Sequence, residues 1–204
     1  MAKWYAVRVG RTPGIYQTWG ECLKQTQKFS GAVYKSFETE AEAVAWLELG
    51  QHSQQLADGS VDLSGMVAYT DGSIDREKNL ASYGIVFVKD DTDVIFKTNN
   101  AYVMTLEDSL ANVGSELLGA MEVVRLARLN DWSTIKIGYD YQGISCFATG
   151  EWEARQPLTR YYRDYMQQAM KDLTIYFIKI KGHTGHCWNE EADRLANLAL
   201  GRTV

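Results

Sequence analysis

Apolar runs at strand spacing alternate along this chain with stretches of helical period, and a polar gap separates two such blocks. The first block predicts strand KWYAVRVG, a turn at RTPG, strand IYQTW, a helix, strand AVYKSF and a second helix, a β-β-α-β-α order. Both helices have marked starts. Thr18 with Glu21, and Thr39 with Glu42, each make a T-x-x-E capping box, in which hydroxyl and carboxylate satisfy backbone amides orphaned at a helix end. The gap, GQHSQQLADGSVDLSG, is rich in Ser, Gly and Gln and has no sustained apolar period, so it reads as a linker. His52 lies within it and is assigned no role.

From Met66 the elements lengthen. MVAYTDGS predicts a buried strand with Val67 and Tyr69 in the core, and the turn residues Gly72 and Ser73 place Asp71 at its last position. ASYGIVFV and DVIFKTNNAY follow closely enough to form an antiparallel meander. In the helix around GSELLGAMEVVRLARL, Glu116, Ala120, Val123 and Ala127 share one stripe, so an acid opens an otherwise apolar face. Burying such an acid is expensive unless it is paired. Strand TIKIGYD ends in Asp140, repeating the arrangement at Asp71. Helical segments at ISCFA and LTRYYRDYMQQAM precede strand TIYFIKIKG. After HTGHCWN, a last helix puts Asp193 on the stripe with Ala196 and Leu200, with Asn189 as the expected N-cap.

These four acids converge if the first and fourth strands of the block are neighbours and the two helices pack over them. Clustered carboxylates repel one another, and a hard dication such as Mg²⁺ relieves the repulsion with oxygen ligands only. Two such ions could activate a water and stabilise a leaving oxygen, which is phosphodiester hydrolysis. His183 and His186 form an H-x-x-H pair, but they flank a loop glycine and no third ligand completes a zinc set. A histidine beside the metals could instead move protons, and for His186 a plain hydrogen-bonding role in the loop is the competing reading.

Composition adds two points. With 46% hydrophobic and 23% charged residues the chain can bury a core, and no apolar run approaches the roughly 20 residues that span a bilayer. The amino-terminal residues lack a leader pattern, so a cytoplasmic location is expected. Cys22, Cys146 and Cys187 are widely spaced and read as buried or idle thiols. The net charge of -5 hides an asymmetry. Up to residue 37, Lys3, Arg8, Arg11, Lys24, Lys28 and Lys35 face the single acid Glu21, a local +5 that leaves -10 for the remainder. Tyr5, Trp19 and Tyr34 are interleaved with those cations, a combination suited to nucleic acid, although any single aromatic is more often a core residue.

The run WYAVRVGRTPGIYQTW with FSGAVYKSF resembles the hybrid-binding domain at the amino terminus of many ribonucleases HI, also found in caulimovirus viroplasmin proteins. The resemblance implies that Tyr5 and Lys35 contact the backbone of an RNA:DNA duplex and that Trp19 and Tyr34 pack on deoxyriboses. YTDGS, SELLGA, YDYQ and KGHTGHCWNEEAD, in that order, resemble the motifs of the ribonuclease HI catalytic domain. By that resemblance Asp71, Glu116, Asp140 and Asp193 bind the metal, His183 shuttles protons, and Asn112 and Gln142 read the RNA strand. The fold implied is α/β, a ribonuclease H-like mixed five-stranded sheet flanked by helices, preceded by the small β-β-α-β-α domain. Expected boundaries are 1–49 for the hybrid-binding domain, 50–64 for a flexible linker and 65–204 for the catalytic domain. The expected activity is two-metal hydrolysis of the RNA strand of RNA:DNA hybrids, leaving 3′-hydroxyl and 5′-phosphate ends. Its cofactor would be Mg²⁺, with Mn²⁺ as a substitute, and it would act as a monomer with no membrane and no small-molecule cofactor. Two alternatives stand beside it: a ribonuclease H-like nuclease with another nucleic-acid substrate, and a catalytically weak hybrid-binding protein. Four departures accompany the resemblance: Ser36 follows Lys35 where relatives often carry a second lysine, Ala111 precedes Asn112 where they often carry threonine, Tyr139 and Tyr141 flank Asp140 where they usually carry smaller or hydroxylated residues, and EWEARQP stands where some relatives have a lysine-rich protrusion.

Overall fold

The computed structural model describes residues 3–49, 62–104, 111–182 and 185–203. Residues 50–61 of the expected linker, with His52, and His183 lie outside the described residues. Contacts divide the chain into Met1–His52 with Thr149–Glu153, and Ser53–Ala148 with Ala154–Val204.

In the first unit, β1 (Trp4–Val9) is the centre of a three-stranded antiparallel sheet, flanked by β2 (Gly14–Tyr16) and β3 (Val33–Phe37). Helix α1 (Trp19–Thr26) follows β2, and α2 (Glu40–Leu49) follows β3, the order expected from the pattern. Both capping boxes form. The Glu21 amide donates to Thr18 Oγ1 at 3.2 Å and the Thr18 amide to Glu21 Oε2 at 3.1 Å, and Thr39 and Glu42 repeat the exchange at 3.3 and 3.1 Å. Strand alternation sorts the side chains into two faces. Ala6 packs with Trp4, Val33, Phe37, Ala43 and Trp46 in the small core, while Tyr5 and Tyr34 point the other way.

The second unit is built on a five-stranded sheet of order β6-β5-β4-β7-β8. β4 (Met66–Asp75), β5 (Leu80–Lys89) and β6 (Asp93–Val103) form the antiparallel meander. The β5–β6 turn holds Asp90 and Asp91 both in the left-handed region, φ +50° and +56°, as tight hairpin turns require. β7 (Thr134–Tyr139) and β8 (Thr174–Lys179) add in parallel, so their connections need crossover helices: α3 (Ala111–Leu129) before β7, then α4 (Gly143–Ala148) and α5 (Pro157–Ala169) before β8. One face of the sheet, with Ala68, Ile85 and Phe87, is covered by Leu117, Ala120, Val124, Tyr162 and Met166 of these helices. The other face, with Val67, Tyr69, Val86 and Val88, is covered by α6 (Cys187–Ala199) through Ala192 and Leu195.

Two sequence expectations are corrected here. β4 does not stop at Asp71. Its pairing with β5 continues from Asp71 opposite Gly84 to Asp75 opposite Leu80, so the ladder overrides the turn preference of Gly72 and Ser73. Asn189 is not the cap of α6: the cap position is His186, and Asn189 is buried inside the first turn. The stripe of α3 holds, with Ala120, Val123 and Ala127 fully buried.

Candidate active site

The parallel half of the sheet explains why acids meet where they do. β4 pairs with β7 only from Val67 opposite Lys136 to Tyr69 opposite Gly138. One residue past that pair β7 ends at Tyr139, so the β7 side of β4 is left without a strand partner at the carboxyl ends of two parallel strands, where α/β sheets commonly leave a binding crevice. Asp71 sits two residues past Tyr69, Asp140 follows β7 directly, and Glu116 comes from an early turn of α3. One carboxylate oxygen from each of Asp71, Glu116 and Asp140 lies within 4.8 Å of the others. Gly72 makes the approach of α3 feasible. A Cβ there would lie 2.8 Å from both the Glu116 nitrogen and Ser115 Cβ, closer than such atoms pack.

The electrostatics follow from burial and crowding. Asp71 is 9% exposed. Burial, then the charge of Asp140, pushes its carboxyl up to about 7, against the Gly72 amide, which donates to its Oδ1 at 2.7 Å. Burial also drives Glu116 well above its ordinary range, with Asp71 and Asp140 adding to the effect. Glu116 Oε2 is buried and has no hydrogen-bond partner among the described residues. An all-oxygen donor set that repels itself and holds an unsatisfied buried acceptor fits a hard divalent cation. Asp71, Glu116 and Asp140 would hold it. Asp193, on α6, is exposed and lies outside this tight group, yet its charge also raises Asp71.

Residues 64–200 match the family described as RNase H, about two thirds of the chain. The chain belongs to the RNase H family. Residues 3–47 match the Ribonuclease H1 N-terminal domain. Among curated relatives, Ribonuclease H1 of Mus musculus is 24% identical over 253 residues, covering 96% of this chain and 88% of that protein. Ribonuclease H of Crithidia fasciculata is 46% identical over 67 residues, 30% of this chain. The aligned stretches span 14% of the Crithidia protein and 12% of the Saccharomyces cerevisiae one. RNase H1 from the halophilic archaeon Halobacterium salinarum has a TM-score of 0.57 at 23% identity, covering 68% of this chain and 98% of that one. LC11-RNase H1, solved in complex with RNA/DNA hybrid, has a TM-score of 0.56 at 17% identity, covering 67% of this chain and 96% of that one. The two structural likenesses establish the RNase H fold.

The other expected site residues fall as follows. Asn112 is exposed in the first turn of α3, and Gln142, also exposed, precedes α4, where its Nε2 donates to Ser145 Oγ at 3.3 Å. His186 caps α6, its ring centroid 4.8 Å from that of Tyr69. Tyr69, expected as a plain core residue, is buried but also donates its hydroxyl to Asp91 Oδ1 at 2.6 Å. In the first unit Tyr5, Trp19 and Tyr34 form a row, with centroid separations of 5.7 and 5.8 Å. Trp19 and Tyr34 are each 44% exposed, so the row is not a core. Lys35 is separated from the rings: it faces the opposite side of β3, its ammonium 5.9 Å from the Phe37 ring.

Sequence reading missed Gly84. It lies opposite Asp71, and a Cβ there would stand 2.6 Å from the Ala196 nitrogen and 2.7 Å from Leu195 Cβ. Its bare backbone lets the helix carrying Asp193 lie directly on β5. A glycine inside a strand pattern is the signal that could have found it.

Proposed function

We propose that this RNase H family chain is an endonuclease that hydrolyses the RNA strand of RNA:DNA hybrids by two-metal-ion catalysis, leaving 3′-hydroxyl and 5′-phosphate ends. The observation that carries the proposal is the meeting of Asp71, Glu116 and Asp140 from three different elements within 4.8 Å. LC11-RNase H1, a protein of the same fold, was solved with an RNA/DNA hybrid bound, which supports the substrate class. The match of residues 3–47 to a Ribonuclease H1 N-terminal domain supports it too.

Asp71, Glu116 and Asp140, completed by Asp193, would hold divalent cations, Mg²⁺ or Mn²⁺. Bound there, the cations would supply an activated water and charge stabilisation at the scissile phosphate. The protein's own part is rigid placement. Strand β4 and the end of β7 hold two of the carboxylates, and α3 brings the third. Asn112, four residues before Glu116 on α3, and Gln142, two residues after Asp140, are exposed and suited to hydrogen-bond a ribose 2′-hydroxyl, the group that separates RNA from DNA. His183 is assigned proton transfer at the leaving oxygen. In residues 1–49, the ring row of Tyr5, Trp19 and Tyr34 would pack on sugars of the duplex.

The test is cleavage of labelled RNA:DNA hybrid, double-stranded RNA and double-stranded DNA, each with Mg²⁺ or EDTA. Metal-dependent cutting of the hybrid's RNA strand alone is expected. Cutting of duplex DNA would favour another nuclease of the fold, and hybrid binding with no cutting would leave a binding protein.

A further inference from the structure

Asp193 differs from the other acids of the site. Burial and neighbouring backbone restrain Asp71 and Glu116, whereas Asp193 projects from an exposed helix face, where an aspartate is free to change rotamer. In this chain it is not left free. Asn197, one turn along α6, donates from Nδ2 to Asp193 Oδ1 at 2.9 Å and to the Asp193 carbonyl at 3.0 Å. The amide of Asn197 is itself held from behind. Its Oδ1 accepts from Arg202 Nη1 at 2.7 Å and from Ser73 Oγ at 3.0 Å. Two donors on the oxygen leave only one consistent orientation, with the NH₂ group facing Asp193.

Arg202 closes the arrangement. Its Nη1 also reaches Ser73 Oγ at 3.0 Å, and its Nη2 donates to the Ile74 carbonyl at 2.7 Å. The end of α6 delivers it there. The Gly201 amide bonds the Leu198 carbonyl at 2.9 Å and the Arg202 amide bonds the Asn197 carbonyl at 3.2 Å, with Gly201 at φ +75°. That is the Schellman pairing, which turns the chain back across the helix end. A planar guanidinium can serve all three oxygens at once, which an ammonium on a single point cannot. Ser73 and Ile74 belong to β4, two and three residues past Asp71. The same hydrogen-bond set therefore ties the helix carrying Asp193 to the strand carrying Asp71.

We propose that Asn197, clamped by Arg202 and Ser73, is a positioning residue that presents the Asp193 carboxylate to the metal site. The inference rests on the metal-binding reading of Asp193 given above. Groups that orient a ligand from behind typically change metal affinity by 10–100-fold when removed. Asn197→Ala removes the donor facing Asp193, and Arg202→Ala removes the clamp while leaving Asn197 in place.

The experiment is Mn²⁺ titration of the full chain, followed by calorimetry and by the paramagnetic signal of free Mn²⁺, with thermal melting of each variant as a control of folding. Wild-type protein is expected to bind Mn²⁺, Asn197→Ala to bind roughly ten-fold or more weakly, and Arg202→Ala to shift the same way by less. Hybrid cleavage by both variants should recover as Mn²⁺ is raised, at a temperature where melting shows each variant fully folded without metal, so that refolding by the ion does not account for the recovery. Folded Asn197→Ala with wild-type Mn²⁺ affinity overturns the inference alone. If that variant does not fold, unchanged affinity in Arg202→Ala overturns it instead. Wild-type protein that binds no divalent cation removes the metal reading and this inference together.

Discussion

Replacing Asp71 by asparagine separates the cost of the acidic cluster from its use. Against an ordinary aspartate value of 3.8, a carboxyl held at about 7 is harder to ionise in the fold than in the unfolded chain. At about 1.4 kcal/mol per pH unit, that difference means an ionised Asp71 costs the metal-free fold on the order of 4 kcal/mol. Glu116 and Asp140 share the same repulsion, so removing one charge recovers only part of it, roughly 2 kcal/mol. The sign is that of an acid whose folded value is raised. The fold binds more protons than the unfolded chain between about pH 4 and about 7, so stability falls with rising pH across that window and is level above it. Asparagine keeps an oxygen for the Gly72 amide and carries no charge. Asp71→Asn is therefore expected to melt roughly 4–8 °C above wild type at pH 8 without metal, and with it near pH 4. Scanning calorimetry in EDTA measures both. Adding Mg²⁺ should reverse the order at pH 8, because only wild type gains a bound ion. In the same preparations cleavage should vanish while hybrid binding persists. An Asn variant that is no more stable than wild type at pH 8, or equally advantaged at pH 4, would refute the crowding argument.

Divalent-ion binding should itself follow pH. Because Asp71 must lose a proton to serve as a ligand, Mn²⁺ affinity is expected to fall about ten-fold per pH unit below 7, and constant affinity from pH 6 to 8 by calorimetry would contradict this. Gly84→Ala should destabilise the fold by about 1–3 kcal/mol through overpacking and weaken Mn²⁺ binding by lifting α6, whereas wild-type melting and affinity would show that the close approach is dispensable. Trp19→Ala should weaken hybrid binding by about 1–3 kcal/mol, roughly five- to 150-fold, with turnover at saturating substrate unchanged; undiminished binding in a filter assay would remove the ring row from the substrate path.

Features that local chemistry encodes were legible from the residues alone. The T-x-x-E boxes started their helices where written, because a capping box involves four consecutive residues and needs no partner from elsewhere. The stripe of α3 with Glu116 at its head held because helical period survives any packing arrangement. Four motifs in order were enough to name the family that the second unit then matched. Other features depend on partners distant in the chain. The length of β4 past Asp71 is set by β5, whose ladder outweighs a local turn preference, and Gly72 became the seat of α3 instead of a turn. The start of α6 fell at His186, whose ring packs on Tyr69, and Asn189 was drawn inside the helix. Lys35 is adjacent to Tyr34 in sequence, yet the pleat sends the two to opposite faces. Ser73 meets Asn197 and Arg202 from more than 120 positions away, and no periodicity reports a hydrogen bond of that range. Short-range rules wrote the elements and nominated the acids, while only the meeting of β4, the end of β7 and α3 could turn separate carboxylates into one crowded site.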